Sequence, residues 1–578
     1  MSDLYSKASL VMNPQLVDTG KVYSIKPEDR KGDFTFTRSS AATRVNADGF
    51  IEKETQNLLT YSNDFSQWSN AGSTITSGQS GYDGSSDAWL LESINTGQSS
   101  VIQSISKSGV QTASVYAKAG TANWMFIYSV AAPDKSAWFN LGNGTLGDKY
   151  GIDSSIESVG NGWYRCSVSY NATISSIRIY VSDGNFNVSS ALGANIYIQD
   201  AQLEQGLVAR DYIETTTTAV EGGITDNVPR LDYTDSSCPA LLLEPQRTNL
   251  LGQSECINSS GGWSFSGGLT TEVNSIDSPE GLTNGTKVVI GSNQYGELRG
   301  PTISQSATTY TLSLFAKAGD LDWCIVQYDD TSSNYVRVWF NISTGAVGSN
   351  AQVGWSIVGT PTIESAGTDG WYRCNIVLTT TATSTNRVTM FGAIGDGAFG
   401  ATENSYFYTY GFQVEEGSYP TSYIPTYGSS VTRIMENCGD ISLATLSNNY
   451  SIFAEVTRIA SDEINNLEFI DYRSSGNDRL RIYTYNTGAI RFRAYFNDGT
   501  NNSYFTNDND WNQGDTIKFC WTYNNGDIVI YANGQQLHSV SQTLNNLNYL
   551  NIETQKIKQL LHFDTTLTSS EAIALTTL

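Results

Sequence analysis

A five-residue string whose side chains could bind a ligand occurs twice in this chain of 578 residues. It reads Gly-Trp-Tyr-Arg-Cys and spans residues 162–166 and 370–374. Aromatic rings on a protein surface can stack on the apolar face of a sugar, while nearby polar side chains bond the sugar hydroxyl groups. The chemistry that this string could perform is therefore recognition of a carbohydrate.

Alternation along a β-strand favours a structural role for the same string. Successive side chains of a strand point to opposite faces, so Tyr164 and Cys166 share the inner face. Trp163 then lies with Arg165 on the other face, where we favour a Trp–Arg stack at the surface. The second copy repeats this arrangement with Trp371, Tyr372, Arg373 and Cys374. The two cysteines are expected as buried free thiols of a chain that folds in reducing cytoplasm.

Three further tryptophans are better candidates for a glycan-binding surface. Trp68 and Trp263 follow two equivalent Asn-Leu-Leu segments, and Trp511 lies in a polar, acidic loop. An exposed ring in such places could stack on a pyranose, with neighbouring Asn or Asp side chains bonding its hydroxyl groups. A position in the core or at its rim is the alternative for each ring.

The acidic residues do not form a pattern that indicates catalysis. Glu204 and Glu415 recur in matching Gln-x-Glu strings, on a strand face that we expect to be solvated. A glycosidase needs two carboxylates about 5 to 10 Å apart, and no such pair recurs in both copies. The chain has only His538 and His562, both after the repeated region, which excludes a Ser-His-Asp site or a histidine-rich zinc site from the repeats. We predict no catalytic residues and no enzyme.

The loop 507–515 resembles a calcium loop only superficially. Counting from Asp508, position six is Gln513 and position twelve is Phe519, where an EF-hand requires Gly and Glu. We therefore predict a polar loop, no metal site and no cofactor. Calcium held by carboxylates from distant segments of a jelly roll is the alternative.

The elements that carry these residues are duplicated. Asn57 and Asn249, which open the matching Asn-Leu-Leu segments, are 192 residues apart, whereas Gln202 and Gln413 are 211 apart. Such a long period indicates tandem domains whose loops differ in length. Short alternating strands separated by Gly, Ser and Asn turns predict two jelly-roll β-sandwiches, at residues 36–220 and 228–435.

The remaining segments flank the duplication. Residues 437–578 contain two Asn-Gly turns between alternating strands, at 525–526 and 533–534, each a strong hairpin signal. This pattern resembles the hairpin of concanavalin-like and laminin-G-like sandwiches, and Thr568 with Glu571 predicts the cap of a closing helix. Residues 1–35 are expected to form an arm that orders against a neighbour, or a flexible terminus. The predicted fold is thus all-β.

Charge and hydropathy exclude two classes of partner. The net charge is −24 and only 16% of residues are charged, with no basic cluster, so binding to nucleic acid or to anionic membranes is not expected. No apolar stretch approaches the roughly 18 residues of a membrane span. The N-terminus lacks the pattern of a secretory signal.

Two longer strings carry a resemblance to a known family. Residues 239–251 (PALLLEPQRTNLL) and 413–425 (QVEEGSYPTSYIP) resemble segments of bacteriophage tail-fibre and other virion proteins, in which they bracket a jelly roll like a carbohydrate-binding module. The first module keeps Tyr212 and Ile213 but lacks both prolines. The resemblance implies a virion surface protein, made in the host cytoplasm, that assembles with other virion proteins as a homo-oligomer, expected to be a trimer.

The function that these expectations favour is a fibre, spike or decoration component that binds host-surface glycan. Repeated weak sites on an oligomer would act through avidity. Two alternatives remain at this point: a purely structural head, collar or tail component without glycan binding, and a polysaccharide depolymerase.

Overall fold

A computed structural model of the chain describes most of its residues, namely 2–29, 31–330, 333–367, 369–442, 448–459, 468–474, 478–486, 490–498, 502–506, 511, 514–544, 547, 549–552 and 555–577. Within them the chain is almost entirely β-structure, with α-helices only at Ser2–Lys7 and Ser569–Thr576 and 3₁₀ turns at Phe65–Gln67 and Ser259–Gly261. The sheets form three β-sandwiches, so the predicted all-β fold is confirmed.

The first sandwich packs two six-stranded antiparallel sheets around one apolar core. Its front sheet has the strand order Asp153–Gly160, Trp163–Asn171, Val110–Ala119, Asn195–Gln205, Ala88–Ser93 and Ser73–Gln79. Its back sheet has the order Thr145–Lys149, Lys135–Asn140, Trp124–Val130, Ile174–Ser182, Ser99–Lys107 and Ser69–Ala71. The chain changes sheet repeatedly, as in a jelly roll.

The second sandwich repeats this plan with two seven-stranded sheets. Its front sheet contains Thr270–Ile276, Gly285–Val289, Tyr406–Glu416, Thr309–Ala318, Trp371–Thr379, Ser356–Ile357 and Thr362–Ala366. Its back sheet contains Ser264–Phe265, Leu298–Arg299, Ser384–Ala393, Trp323–Asp330, Tyr335–Asn341, Ala346–Val353 and Ile303–Gln305. The two central front-sheet strands pair in the same register as their counterparts in the first sandwich.

The C-terminal sandwich draws strands from three parts of the chain. One sheet is formed by Leu10–Met12, Arg230–Asp232, Ala240–Leu242, Lys556–Phe563, Asn449–Thr457, Thr516–Asn524, Asp527–Ala532 and Gln535–Ser541. The other is formed by Val17–Asp18, Lys21–Val22, Phe34–Thr37, Asn437–Ser442, Tyr549–Ile552, Glu468–Arg473, Asp478–Asn486, Ile490–Asp498 and Asn502–Thr506.

This membership differs from the segment boundaries expected from the sequence. The N-terminal segment, expected as an arm that orders against a neighbour or as a flexible terminus, orders within its own chain, because Leu10–Met12 pairs with the strand Lys556–Phe563. Phe34–Thr37 pairs likewise with Asn437–Ser442. Residues 230–242, expected in the second module, add two strands to the C-terminal sandwich. Pairing across more than 300 residues of chain leaves no local signal in the sequence.

Local turn and cap predictions hold. Asn525 and Asn533 have φ values of 47° and 48° and precede Gly526 and Gly534, so both Asn-Gly pairs form the left-handed turns of tight hairpins. The side chain of Thr568 accepts a hydrogen bond from the Glu571 amide, and the Glu571 carboxylate accepts one from the Thr568 amide, which completes the predicted cap.

The Asn-Leu-Leu repeat closes each jelly roll. The Asn249 amide donates to the carbonyls of Phe412 and Ile424, at 3.0 and 2.9 Å, and accepts from the amides of Leu251 and Val414, at 3.2 and 3.1 Å. Asn57 makes the same four bonds in the first sandwich, to Ala201, Ile213, Leu59 and Leu203. Each asparagine thus ties the first segment of its sandwich to the last strand and to the segment that follows.

Three two-stranded ribbons lie outside the main sheets, and two buried ionic clusters bring together residues from distant segments. The ribbons pair Thr55–Asn57 with Val220–Gly222, Arg247–Asn249 with Val431–Arg433, and Arg44–Val45 with Ile51–Glu52. In one cluster Glu436 binds Arg38 and Arg230, at 2.8 and 2.6 Å. In the other, Lys53 lies 2.6 Å from Glu255 and also contacts Glu280. Burial opposes the charge of Glu280, but Lys53 and Arg210 outweigh it and lower its pKa to about 2.

Candidate functional site

The three tryptophans predicted as glycan platforms lie in the cores instead. Trp68, Trp263 and Trp511 are only 4%, 2% and 3% exposed. The Trp68 indole donates to the Tyr61 carbonyl at 3.0 Å and that of Trp511 to Asp515 at 3.0 Å, while Trp263 packs on a core phenylalanine. Their rings therefore offer no face to a sugar. Most of the loop around Trp511 lies outside the described residues.

The Gly-Trp-Tyr-Arg-Cys copies are structural, but not as a surface Trp–Arg stack. Trp163 and Trp371 are buried on the outer side of the front sheets, with the Trp371 indole donating to a backbone carbonyl. Arg165 instead lies over the ring of Tyr116, at 5.4 Å, which faces it directly across the strand pair. Arg373 lies over Phe315 in the same way, at 5.6 Å. Arginine stacks on its cross-strand neighbour rather than on the tryptophan of its own strand, because strand pairing holds that neighbour opposite the guanidinium.

The inner half of the string lies as predicted. Cys166 and Cys374 are buried in the sandwich cores without a disulfide, and Tyr164 and Tyr372 are half-buried beside them. Burial raises the pKa of both thiols well above the ordinary value. These cysteines therefore carry no reactive thiolate near neutral pH.

The Gln-x-Glu strings are buried, which corrects the expected solvated face. Glu204 accepts a hydrogen bond from the Arg210 amide at 2.9 Å. Glu415 accepts from the amide and the hydroxyl of Thr421, at 2.8 and 2.6 Å. In both sandwiches the segment after the last strand folds back over this face and covers the acid. The carboxylates bind that segment and are engaged in structure rather than facing a substrate.

The strongest candidate site lies on the outer face of the back sheet of the first sandwich. Three rings stack there in the order Tyr180, Phe126 and Trp138, with centroid separations of 4.3 and 5.0 Å. The Trp138 indole donates to the carbonyl of Asn187 at 2.9 Å, which fixes the turn above it. This stack forms a rigid aromatic base outside the core.

Two exposed rings extend that base into solvent. Tyr150 is 52% exposed and Phe186 is 56% exposed, and their centroids lie 6.0 Å apart. They lie 6.4 and 5.5 Å from the Trp138 ring. We call Tyr150, Phe186 and Trp138 the aromatic platform.

Phe186 occupies a backbone conformation that a bulky residue rarely adopts. Its φ is 55°, in the left-handed region where a side chain is strained. The equivalent turn of the second sandwich is held by the same bond, from the Trp339 indole to Ala398 at 2.8 Å, and there the residue before Ala398 is Gly397, with φ of 66°. The turn thus favours glycine, and the first sandwich exposes a phenylalanine in its place.

The second sandwich does not repeat the platform. Ala351 stands where the first sandwich has Tyr150, and Gly397 where it has Phe186. Phe399 packs edge-on against Trp339, at 5.3 Å between centroids, and the guanidinium of Arg337 lies over Phe399 at 4.6 Å. This face is therefore closed over by its own side chains.

Polar groups surround the aromatic platform. Asp148, Asn185 and Asn187 are all exposed next to its two outer rings. The Asn185 side chain accepts from the Asp148 amide at 2.7 Å and donates to the Asp148 carboxylate at 3.3 Å, which holds the two loops together. Exposed rings with fixed amide and carboxylate groups beside them can stack on an apolar face and bond hydroxyl groups.

The sequence alone offered one usable signal for this site. Aligning the repeats on Trp138 and Trp339, and on the strands that precede each turn, places Phe186 against a glycine. A phenylalanine replacing the glycine of a Gly-rich turn is an anomaly, whereas Trp68 and Trp263 are alike in both copies and so indicate shared structure.

Two further properties concern the described residues only. No group of three or more His, Cys, Asp or Glu side chains in that part of the chain is arranged to hold a metal ion. None of the helices found there has the length and apolar character to cross a membrane.

Comparisons with known proteins give fold similarities only. No protein-family model matches the chain, and no curated protein does. A solved structure of the CBM40 domain of the Ruminococcus gnavus IT-sialidase bound to α2,3-sialyllactose is 13% identical, over 23% of this chain and 84% of that chain, with a TM-score of 0.20. Mouse laminin α1 domains LG4-5 are 10% identical, over 53% and 92%, with a TM-score of 0.16. The fold assignment itself rests on the sheets described above.

Proposed function

We propose that this chain binds glycan through the aromatic platform of its first sandwich. The observation that carries the proposal is Phe186, an exposed phenylalanine held at positive φ in a turn where the second sandwich has glycine. Strained, exposed residues are costly and are found mostly at functional sites. The rings of Phe186 and Tyr150 supply stacking surface, and the amides and carboxylate around them supply hydrogen bonds.

We also propose that the protein is a surface component of a bacteriophage particle. This part rests on the resemblance of residues 239–251 and 413–425 to segments of virion proteins. In such a particle the ligand would be a host-surface glycan, the other partners would be virion proteins, and a homotrimer would present three platforms together. Avidity would then compensate for a shallow site.

The binding proposal is tested with the full chain on an array of bacterial surface glycans. Tyr150→Ala and Phe186→Ala are each expected to weaken binding about tenfold, the equivalent of about 1.4 kcal/mol. The matched control is Tyr295→Ala, because Tyr295 is also 52% exposed but belongs to the second sandwich. That variant is expected to bind like the unchanged protein.

Other outcomes would favour the alternative functions. Silence of the unchanged protein on every glycan would support a purely structural component. Reducing ends released from a bound polysaccharide would indicate a depolymerase. Labelling of intact particles by an antibody against the chain tests the virion proposal separately.

A further inference from the structure

A second candidate site lies between the first and second sandwiches, and its lining differs chemically from the aromatic platform. It is a cleft of about 360 Å³. One wall is the outer face of the strands Asp153–Gly160 and Trp163–Asn171 of the first sandwich. Asn274, Leu282 and Thr283 of the second sandwich form the opposite side. We call this the inter-sandwich cleft.

Three cross-strand pairs of polar side chains line the first wall. They are Asp153 with Ser169, Ser155 with Ser167, and Glu157 with Arg165. Small hydroxyl groups in the middle of the wall leave room for a ligand, and charged groups lie at both ends. Aliphatic side chains of the segment after the last strand of the first sandwich, Leu207, Val208 and Ala209, border the wall.

The second sandwich is anchored at one end of the cleft. The Asn274 amide donates to the carboxylate of Asp153 at 3.0 Å and to the Leu207 carbonyl at 3.1 Å. Asn274 has a φ of 54°, in the left-handed region that asparagine adopts more readily than most residues. The width of the cleft is therefore fixed by direct bonds between the two sandwiches.

Three polar atoms that belong to cleft-lining residues are buried without a partner among the described residues. They are Nε of Arg165, Oγ of Ser169 and Oδ1 of Asn274. These three atoms have almost no accessible surface, so they lie behind the cleft surface and a ligand in the cleft would not contact them. The cleft lining instead offers serine hydroxyl groups, which donate and accept, and the carboxylates of Asp153 and Glu157, which accept.

We propose that the inter-sandwich cleft binds a neutral polyhydroxylated molecule, of the class of a single saccharide unit. A sugar hydroxyl both donates and accepts, which matches the serine hydroxyl groups and the carboxylates that line the cleft. Asp153 and Glu157 on the same wall disfavour an anion beside Arg165. None of the described lining residues is aromatic. Recognition here is thus by hydrogen bonds, and it does not depend on the stacking proposed for the platform.

The test uses the full chain and saturation-transfer NMR with glucose, galactose and N-acetylglucosamine, and with inorganic phosphate and sialic acid as anionic probes. Ser155→Trp places an indole in the cleft from an exposed position and is expected to weaken binding of a neutral sugar about tenfold or more. The matched control is Thr362→Trp. Thr362 is exposed and pairs with Asn375 in the equivalent strands of the second sandwich, outside the cleft.

A second variant and a defined set of binding results decide whether the inter-sandwich cleft binds a neutral sugar. Ser167→Ala removes a hydroxyl group from the middle of the first wall and is expected to weaken sugar binding while the thermal transitions are retained, because that hydroxyl bonds Ser155, at 3.2 Å, rather than a group of the second sandwich. The proposal is overturned if no neutral sugar binds, if only the anions bind, or if binding is equal in the Ser155 and Thr362 variants. Loss on Tyr150→Ala alone would assign the sugar signal to the platform instead.

Discussion

At the scale of single residues, the two sandwiches use one turn for different purposes. The Trp138 and Trp339 indoles hold equivalent turns, in which Phe186 and Gly397 both have positive φ. A Cβ added to Gly397 would meet only the Ser349 hydroxyl, at 3.7 Å, so space does not demand glycine there. The positive φ favours glycine there. Phe186 has the same unfavourable backbone conformation, and its ring is exposed.

A substitution series separates that cost from the binding role. Phe186→Ala keeps a strained backbone, whereas Phe186→Gly relieves it, so we expect the glycine variant to be more stable by about 1 kcal/mol. Both should weaken glycan binding about tenfold. Gly397→Ala, the converse change, should destabilise the second sandwich by about 1 kcal/mol. Scanning calorimetry of the full chain measures each transition. Equal stability of the two Phe186 variants would contradict the strain argument.

At the scale of elements, each jelly roll depends on one asparagine that ties together segments distant in sequence. We expect Asn249→Ala to leave four buried backbone groups unpaired and to destabilise the second sandwich by about 3 to 5 kcal/mol. Asn57→Ala should do the same to the first sandwich only. Asn350→Ala, on an exposed strand position, is the control and should shift neither transition. The measurement is again calorimetry, and a shift of both transitions by one variant would mean that the sandwiches unfold together.

The elements that local chemistry dictates were predictable, and those that depend on distant contacts were not. The hairpins at Asn525 and Asn533 follow from turn residues that need positive φ. The alternation of side chains along the strand correctly predicted which residues share a face with Cys166. It does not tell whether a face is covered, so Glu204 was expected in solvent although the segment after its strand covers it. Trp68 was ambiguous for the same reason.

At the scale of the whole molecule, strands from the N-terminal part of the chain pair with strands from its C-terminal part. Strands near the N-terminus pair with Lys556–Phe563 and Asn437–Ser442, so both jelly rolls are inserted between parts of one sandwich. The buried cluster of Arg38, Arg230 and Glu436 lies at the junction where these segments meet. Burial lowers the pKa of Arg38 to about 10 in spite of the Glu436 carboxylate beside it. Such a charge group is stable only while all of its partners are in place.

Deletion of residues 1–37 should therefore unfold the C-terminal sandwich, although most strands of that sandwich lie at or after residue 437 in the sequence. The deletion removes Met12, Phe34 and Phe36 from its core, all fully or almost fully buried, each worth about 1.5 to 3 kcal/mol. It also removes one strand from one of its sheets and three from the other. We expect limited proteolysis to cut the region after residue 437 while residues 55–220 and 247–433 resist, and the aromatic platform to keep its glycan binding. Deletion of residues 1–7, which removes only the first helix, is the control and should leave the sandwich resistant. If the C-terminal region resists the protease in both deletion variants, the C-terminal sandwich folds without the N-terminal strands, and the prediction is contradicted.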